Sequence, residues 1–171
     1  MKKIIIYGGK KLHGSISVSG SKNSSLAILA SSMLFEKKVV LKNIPVVEDI
    51  KTMIKLLIYL GKNIKVKKKT IEITNSKKFG KSFIAPYELV KTMRAGILVL
   101  GPLISKFKKA KVSLPGGCAI GTRPVDIHLK ALSKLGVIYK INHGYVIANA
   151  PKGLKGNKIK FPKISVGATE N

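Results

Sequence analysis

Arginine, acidic residues, aromatic rings and cysteine are all scarce in this 171-residue chain, and each scarcity narrows the functions open to it. A lone cysteine, Cys118, excludes an internal disulfide and fits a reducing compartment. Aromatics at 6% leave few stacking platforms for bases. Of 33 basic residues only Arg94 and Arg123 are arginine, the side chain that nucleic-acid readers use for bidentate contacts. Seven acidic residues leave a formal charge of +26, which taken bare points to a polyanion such as RNA, DNA or an acidic membrane. The lysines, however, are spread along the whole chain with only short runs such as Lys67-Lys68-Lys69, and a lysine-biased background accounts for most of the charge. A basic nucleic-acid-binding protein is kept as an alternative, and the expectation is no nucleic-acid and no membrane partner. Long apolar runs are missing too. Ile4 to Tyr7 is too short for a signal-peptide core, and Ala95 to Ile104 is broken by Gly and Pro. The chain reads as soluble and cytoplasmic.

What is present is a core. Hydrophobic residues make up 45% of the chain, which argues against wholesale disorder. They fall into alternating short β-like and helical patterns. Ile16 to Ser19 alternates like a strand, Ser21 to Leu34 has helical spacing, and Val39 to Leu41 is strand-like. Val47 to Leu60 predicts a helix stopped by Gly61, followed by strands at Ile64 to Val66 and Ile71 to Ile73. The pattern then returns: a helix over Glu88 to Ile104, a strand at Val112 to Leu114 and a helix over Val125 to Leu135 stopped by Gly136. Strands at Val137 to Ile141 and Tyr145 to Ala148 complete it. Leu60-Gly61 and Leu135-Gly136 lie 75 positions apart. The expectation is an α/β (α+β) fold of two βαβαββ units, about 22–85 and 86–150. A third unit opens with a strand at Ile159 to Phe161 and a helix start at Ser165-Val166-Gly167, and the sequence ends there. This reads as a truncated chain.

Three segments suit chemistry. At Ser19-Gly20-Ser21-Lys22-Asn23 a small-residue turn precedes a helix, Ser21 can cap, and free N–H groups favour an anion. Lysine in a first turn opposes the helix dipole, a cost that makes sense if Lys22 helps hold a phosphate or carboxylate; otherwise it is one more lysine among many. At Pro86 to Arg94, Pro86 marks a helix start, and Lys91 and Arg94 share a face three residues apart. They suit an anion, or else Glu88 pairs with Lys91 and Arg94 is solvated. In a lysine-rich chain a retained guanidinium suggests a need for its planar fork, and ordinary salt bridges are the alternative. The third segment runs Leu114-Pro115-Gly116-Gly117-Cys118-Ala119-Ile120-Gly121-Thr122-Arg123-Pro124-Val125-Asp126-Ile127-His128. Its glycines argue for an accessible thiol, nearby cations would ease thiolate formation, and an inert buried cysteine is the plainer alternative. Pro124 fits a first helical position, and Asp126 complements the dipole and can accept N–H bonds. Little is claimed for His128.

Together these segments, with Lys-Thr-Met-Arg-Ala and Ser-Val-Gly-Ala-Thr-Glu-Asn, resemble the UDP-N-acetylglucosamine 1-carboxyvinyltransferase branch of the enolpyruvate transferase family over residues 1–171. The Gly-Gly-Cys loop followed by Arg-Pro-Val-Asp is the specific part, because the sister EPSP synthases, which act on shikimate 3-phosphate, lack that loop. The resemblance implies an inside-out α/β barrel of repeated βαβαββ units. It implies enolpyruvyl transfer from phosphoenolpyruvate to the 3′-hydroxyl of UDP-N-acetylglucosamine in bacterial peptidoglycan synthesis, with no metal or organic cofactor. It implies Cys118 as catalytic acid and fosfomycin target, and Lys22 and Asn23 on phosphoenolpyruvate. Arg94, Arg123, Pro124, Val125, Asp126, Ile127, Lys163, Ile164, Ser165 and Val166 would bind UDP-N-acetylglucosamine. Members exceed four hundred residues in two domains. On that pattern 1–21 would pack with a missing second, C-terminal domain, 22–171 would be an incomplete first domain, and the chain alone would be inactive and poorly stable.

Overall fold

A computed structural model describes residues 3–116 and 125–171. Helix α1 (Lys22–Ser31) starts where Ser21 Oγ accepts the Ser24 N–H at 3.4 Å, and a 3₁₀ turn at Ser32–Leu34 tightens its end. After strand β1 (Val39–Leu41), helix α2 (Glu48–Tyr59) places Glu48 and Asp49 at its positive end. It buries Ile50, Met53, Leu56 and Leu57, the face its helical spacing dictates. Gly61, at φ +98°, releases the chain into the hairpin β2 (Lys62–Lys67) and β3 (Thr70–Asn75). β1 pairs antiparallel with the other edge of β3, giving the order β1-β3-β2.

The second unit repeats this plan with one strand more. It comprises β4 (Ile84–Ala85), α3 (Tyr87–Val90), a 3₁₀ segment Arg94–Val99, α4 (Leu100–Phe107), β5 (Lys109–Ser113), α5 (Asp126–Lys134), β6 (Ile138–Asn142) and β7 (Tyr145–Asn149). The sheet order is β4-β5-β7-β6, with β4 parallel to β5 and the other pairs antiparallel. Gly136, at φ +97°, ends α5 as Gly61 ends α2. The chain closes on a short helix, α6 (Val166–Glu170).

One core serves both units: Leu29, Met33, Met53, Leu56 and Leu57 from the first share a cluster with Leu100, Leu103, Ile104, Val112 and Val146 from the second. Each such side chain is worth about 1.5–3 kcal/mol on burial. A polar chain also joins the units. Buried Lys62 donates to Phe35 O (3.2 Å) and Asn75 Oδ1 (2.7 Å) and lies over the Phe79 ring, 4.1 Å from its centroid. Asn75 Nδ2 donates to Glu36 (2.9 Å), and Glu36 is ion-paired to Lys106 of α4.

Three expectations need correcting. Ile16 to Ser19 forms no strand: alternation makes a strand only where a neighbour completes the ladder, and Ile16 and Val18 lie exposed without one. Ile159 to Phe161 likewise stays outside any sheet. The segment before it is instead tied to the end of α5, through Lys155 N to Leu135 O (2.9 Å) and Asn157 Nδ2 to Lys134 O (2.9 Å). The single helix expected over Glu88 to Ile104 is three pieces, because Met93 is extended (φ −132°, ψ 104°).

Candidate functional site

Lys22 and Asn23 are the first two residues of α1 and are exposed. Lys22 Nζ lies 2.7 Å from Asp49 Oδ2 in the first turn of α2, so one ion pair ties two helix starts together. The pairing offsets the dipole cost of a cation at the start of α1, and Asp49 is well placed on its own helix. α1 packs against α2 and against the 3₁₀ segment Arg94–Val99.

That segment is the hub of the site. Lys91 caps the end of α3, pairs with Glu88 and lies over the Tyr87 ring at 5.4 Å; the Glu88 carboxylate raises its pKa. The Glu88–Lys91 pair therefore forms. Because the helix breaks, Arg94 does not continue the face of Lys91 but opens the 3₁₀ segment, half-buried. The segment folds back tightly: a Cβ at Gly96 would lie 2.9 Å from Val90 Cγ1. The root of the glycine-rich loop sits on the same place, since a Cβ at Gly116 would lie 2.7 Å from Lys91 O. Only glycine lets the two backbones approach so closely. Cys118, Arg123 and Pro124 lie outside the described residues.

On the far side of that loop Val125 caps α5, which begins at Asp126, two residues later than Pro124 suggested. Asp126 is ion-paired to Lys130 at 3.6 Å, and Ile127 is buried. Lys163 and Ile164 are exposed in the stretch leading to α6. Ser165 Oγ accepts the Ala168 N–H at 3.3 Å, capping α6, and Val166 is its first residue. An open groove runs along Phe161 to Val166, and a second, between α5 and residues 159–162, shares Phe161 and Pro162 with it. α6 packs on α5 and on the Arg94–Val99 segment. Helices α1 and α6 thus converge on the one 3₁₀ segment that Arg94 opens, with Gly116 against Lys91 just before it and α5 reached through α6.

Three residues of this region were not singled out by sequence reasoning: Asp49, His128 and Asn171. Asp49 in a first turn looks like ordinary dipole compensation. The Asn171 side chain accepts from Gly101 N (2.7 Å), donates to Ile97 O (3.2 Å) and lies 3.1 Å from His128 Nδ1. Burial pushes the His128 pKa down, opposed by the Asp126 charge. Among the described residues no group of three or more His, Cys, Asp or Glu could hold a metal ion, and no helix is long and apolar enough to cross a membrane.

Comparison with known proteins gives the family and the fold. The family model described as EPSP synthase (3-phosphoshikimate 1-carboxyvinyltransferase) matches residues 6–171. A UDP-N-acetylglucosamine 1-carboxyvinyltransferase of Pelagibacter ubique is 67% identical over 171 residues, and one of Wolinella succinogenes is 52% identical over 172. Both cover all of this chain, which spans 40% of their length. Among solved structures, the enolpyruvyl transferase NikO from Streptomyces tendae superposes with a TM-score of 0.67 at 20% identity, over 84% of this chain and 31% of its own. An EPSP synthase from Acinetobacter baumannii gives 0.68 at 16% identity, over 92% and 36%. Those two likenesses establish the enolpyruvyl transferase fold. With the family match over nearly its whole length, the chain belongs to the EPSP synthase family of carboxyvinyl transferases.

Proposed function

We propose that this chain is part of a bacterial, cytoplasmic UDP-N-acetylglucosamine 1-carboxyvinyltransferase and carries that enzyme's reactive thiol. The observation that supports the reading best is the convergence just described. Helix α1, which Lys22 and Asn23 begin, and α6, which Ser165 caps, both pack on the segment opened by Arg94, and Gly116 lies against Lys91 just before it. Lys22 and Asn23 hold phosphoenolpyruvate. Arg94, Arg123 to Ile127 and Lys163 to Val166 hold the nucleotide sugar.

The chemistry is addition followed by elimination. Cys118 gives its S–H proton to the methylene carbon of phosphoenolpyruvate as the sugar 3′-hydroxyl oxygen bonds to the neighbouring carbon and loses its own proton. The carbon–oxygen bond to phosphate then breaks, the new methyl group returns a proton, and the enol ether and inorganic phosphate leave. General acid catalysis of this kind is worth about 10²–10⁴-fold, with cations stabilising the phosphate end. The base that takes the hydroxyl proton lies in the rest of the longer protein. Residues 1–21, whose Ile4, Ile6, Leu12 and Ile16 side chains are exposed, pack with that remainder, and 22–171 is the part of the first domain present here.

The test is fosfomycin treatment of the intact protein with UDP-N-acetylglucosamine present, read by mass spectrometry. One adduct on Cys118 is expected, and Cys118→Ala removes it together with most of the phosphate release. An unmodified Cys118 in the folded, substrate-saturated protein overturns the role. The family model's own name favours a second reading, shikimate 3-phosphate as acceptor. Phosphate release with that acceptor alone would select it.

A further inference from the structure

We propose that His128 and Asn171 form a positioning pair that holds the two nucleotide-binding stretches, 125–127 and 163–166, in fixed relation to each other. The inference rests on the nucleotide reading of those stretches. Neither residue is required to touch the ligand.

The geometry is specific. Asp126 and Ile127 open α5, and His128 follows on the next position of the same helix. Ser165 and Val166 open α6, and Asn171 lies just past its end. The two helices meet through the Asn171 amide nitrogen and His128 Nδ1, 3.1 Å apart. A donor N–H on Asn171 needs a lone pair on Nδ1, so the ring is neutral with its proton on Nε2. The lowered pKa of His128, a consequence of burial, agrees with that state. The same amide is fixed at its other positions, since its oxygen accepts from Gly101 N and its nitrogen also donates to Ile97 O. Asn171 is therefore anchored to the hub and reads out the position of α5 through one imidazole. Packing reinforces the join: a Cβ at Gly167 would lie 3.5 Å from His128 Cε1, so α6 rests against the edge of the ring.

A half-buried hydrogen bond between side chains contributes about 1 kcal/mol. Spent on relative placement, it changes affinity for a ligand that bridges both stretches by roughly five- to tenfold. It leaves a ligand that touches neither stretch unaffected.

The test compares three variants in the intact protein, reading the KM for UDP-N-acetylglucosamine, the KM for phosphoenolpyruvate, kcat and the melting temperature. His128→Phe keeps an aromatic ring against Gly167 but removes the acceptor. Asn171→Ala removes the other partner. His128→Asn places an amide oxygen near the Nδ1 position and restores an acceptor. The first two are expected to raise the nucleotide-sugar KM roughly five- to tenfold, with kcat and the phosphoenolpyruvate KM within about twofold of wild type. The third is expected to recover most of the loss. The double variant His128→Phe/Asn171→Ala is expected to be no worse than either single one. If His128→Phe does not fold, Asn171→Ala alone decides. Unchanged nucleotide-sugar KM values with clear wild-type saturation overturn the positioning role alone. A wild-type protein that does not use the nucleotide sugar overturns the nucleotide reading and this inference with it. A loss confined to melting temperature, or one that His128→Asn does not repair, also overturns the pair.

Discussion

The two units of this chain share a plan but differ where the candidate site lies. In the first, α1 and α2 are continuous, and the sheet is a three-stranded antiparallel β1-β3-β2. In the second, the corresponding first helix is broken at Met93 into α3, a 3₁₀ segment and α4, and a short parallel strand, β4, is added at the sheet edge. The break puts Arg94 at the start of a tight segment that α1 and α6 both pack on. A repeat can thus keep one hydrophobic plan while one copy is deformed to collect residues from elsewhere. Helix irregularities tend to mark functional places for this reason.

The sharpest way to break the likeness of the units is at the glycines that end α2 and α5. Both have φ near +98°, which strains any L-residue. Only Gly61 is also crowded: its Cβ would lie 2.6 Å from Phe79 Cα, whereas Gly136 meets nothing closer than Gly153 O at 3.6 Å. Gly61→Ala is expected to cost about 3 kcal/mol or more, Gly136→Ala about 1–2 kcal/mol, measured by denaturant unfolding of the intact protein. Equal costs would show that backbone strain alone governs both.

A medium effect separates the units by pH. Burial pushes the Lys62 pKa down to about 8, partly opposed by Glu36 and reinforced by Lys106. Below pH 8 the folded protein carries the cost of a buried cation. Between about 8 and the ordinary lysine value of 10.5, the folded state has released that proton and the unfolded chain still holds it, so this group makes stability rise with pH. Lys62→Met is expected to flatten that rise in melts taken from pH 7 to 10. No difference in slope between the two proteins would place the charge in solvent.

The smallest expected effect compares the acidic first turns of α2 and α5. The exposed Glu48–Lys51 and Asp126–Lys130 pairs are each worth under about 0.5 kcal/mol. Glu48→Gln and Asp126→Asn should therefore melt alike. Asp126→Asn alone should raise the KM for UDP-N-acetylglucosamine, and equal KM values would remove Asp126 from the site.

Much of this plan is readable from spacing. Leu60-Gly61 and Leu135-Gly136 announce two helix ends, and the paired runs after each announce hairpins, because period-2 and period-3.6 patterns are properties of local sequence. What escapes is what depends on neighbours. β4 is two residues long and exists only because β5 lies beside it. The break at Met93 carries no proline and precedes its first glycine by three residues, so periodicity runs straight through it. Lys62 looks like any other lysine until the fold encloses it. The candidate site was half legible: capping serines and the glycine loop mark its edges in the sequence. Asp49, His128 and Asn171 become site residues only through contacts 27 to 74 positions away along the chain.

The close passage of Asn171 over Gly101 has a consequence for how relatives are read. A side chain at 101 would put its first carbon 1.9 Å from the Asn171 carbonyl oxygen, an atom any residue at 171 carries, so glycine at 101 is what this passage requires. A relative with anything larger than glycine at 101 must carry its sixth helix along a different route. In such a relative the contacts of Asn171 with Gly101, Ile97 and His128 would all be remade, and that single position becomes a marker for how α6 is seated.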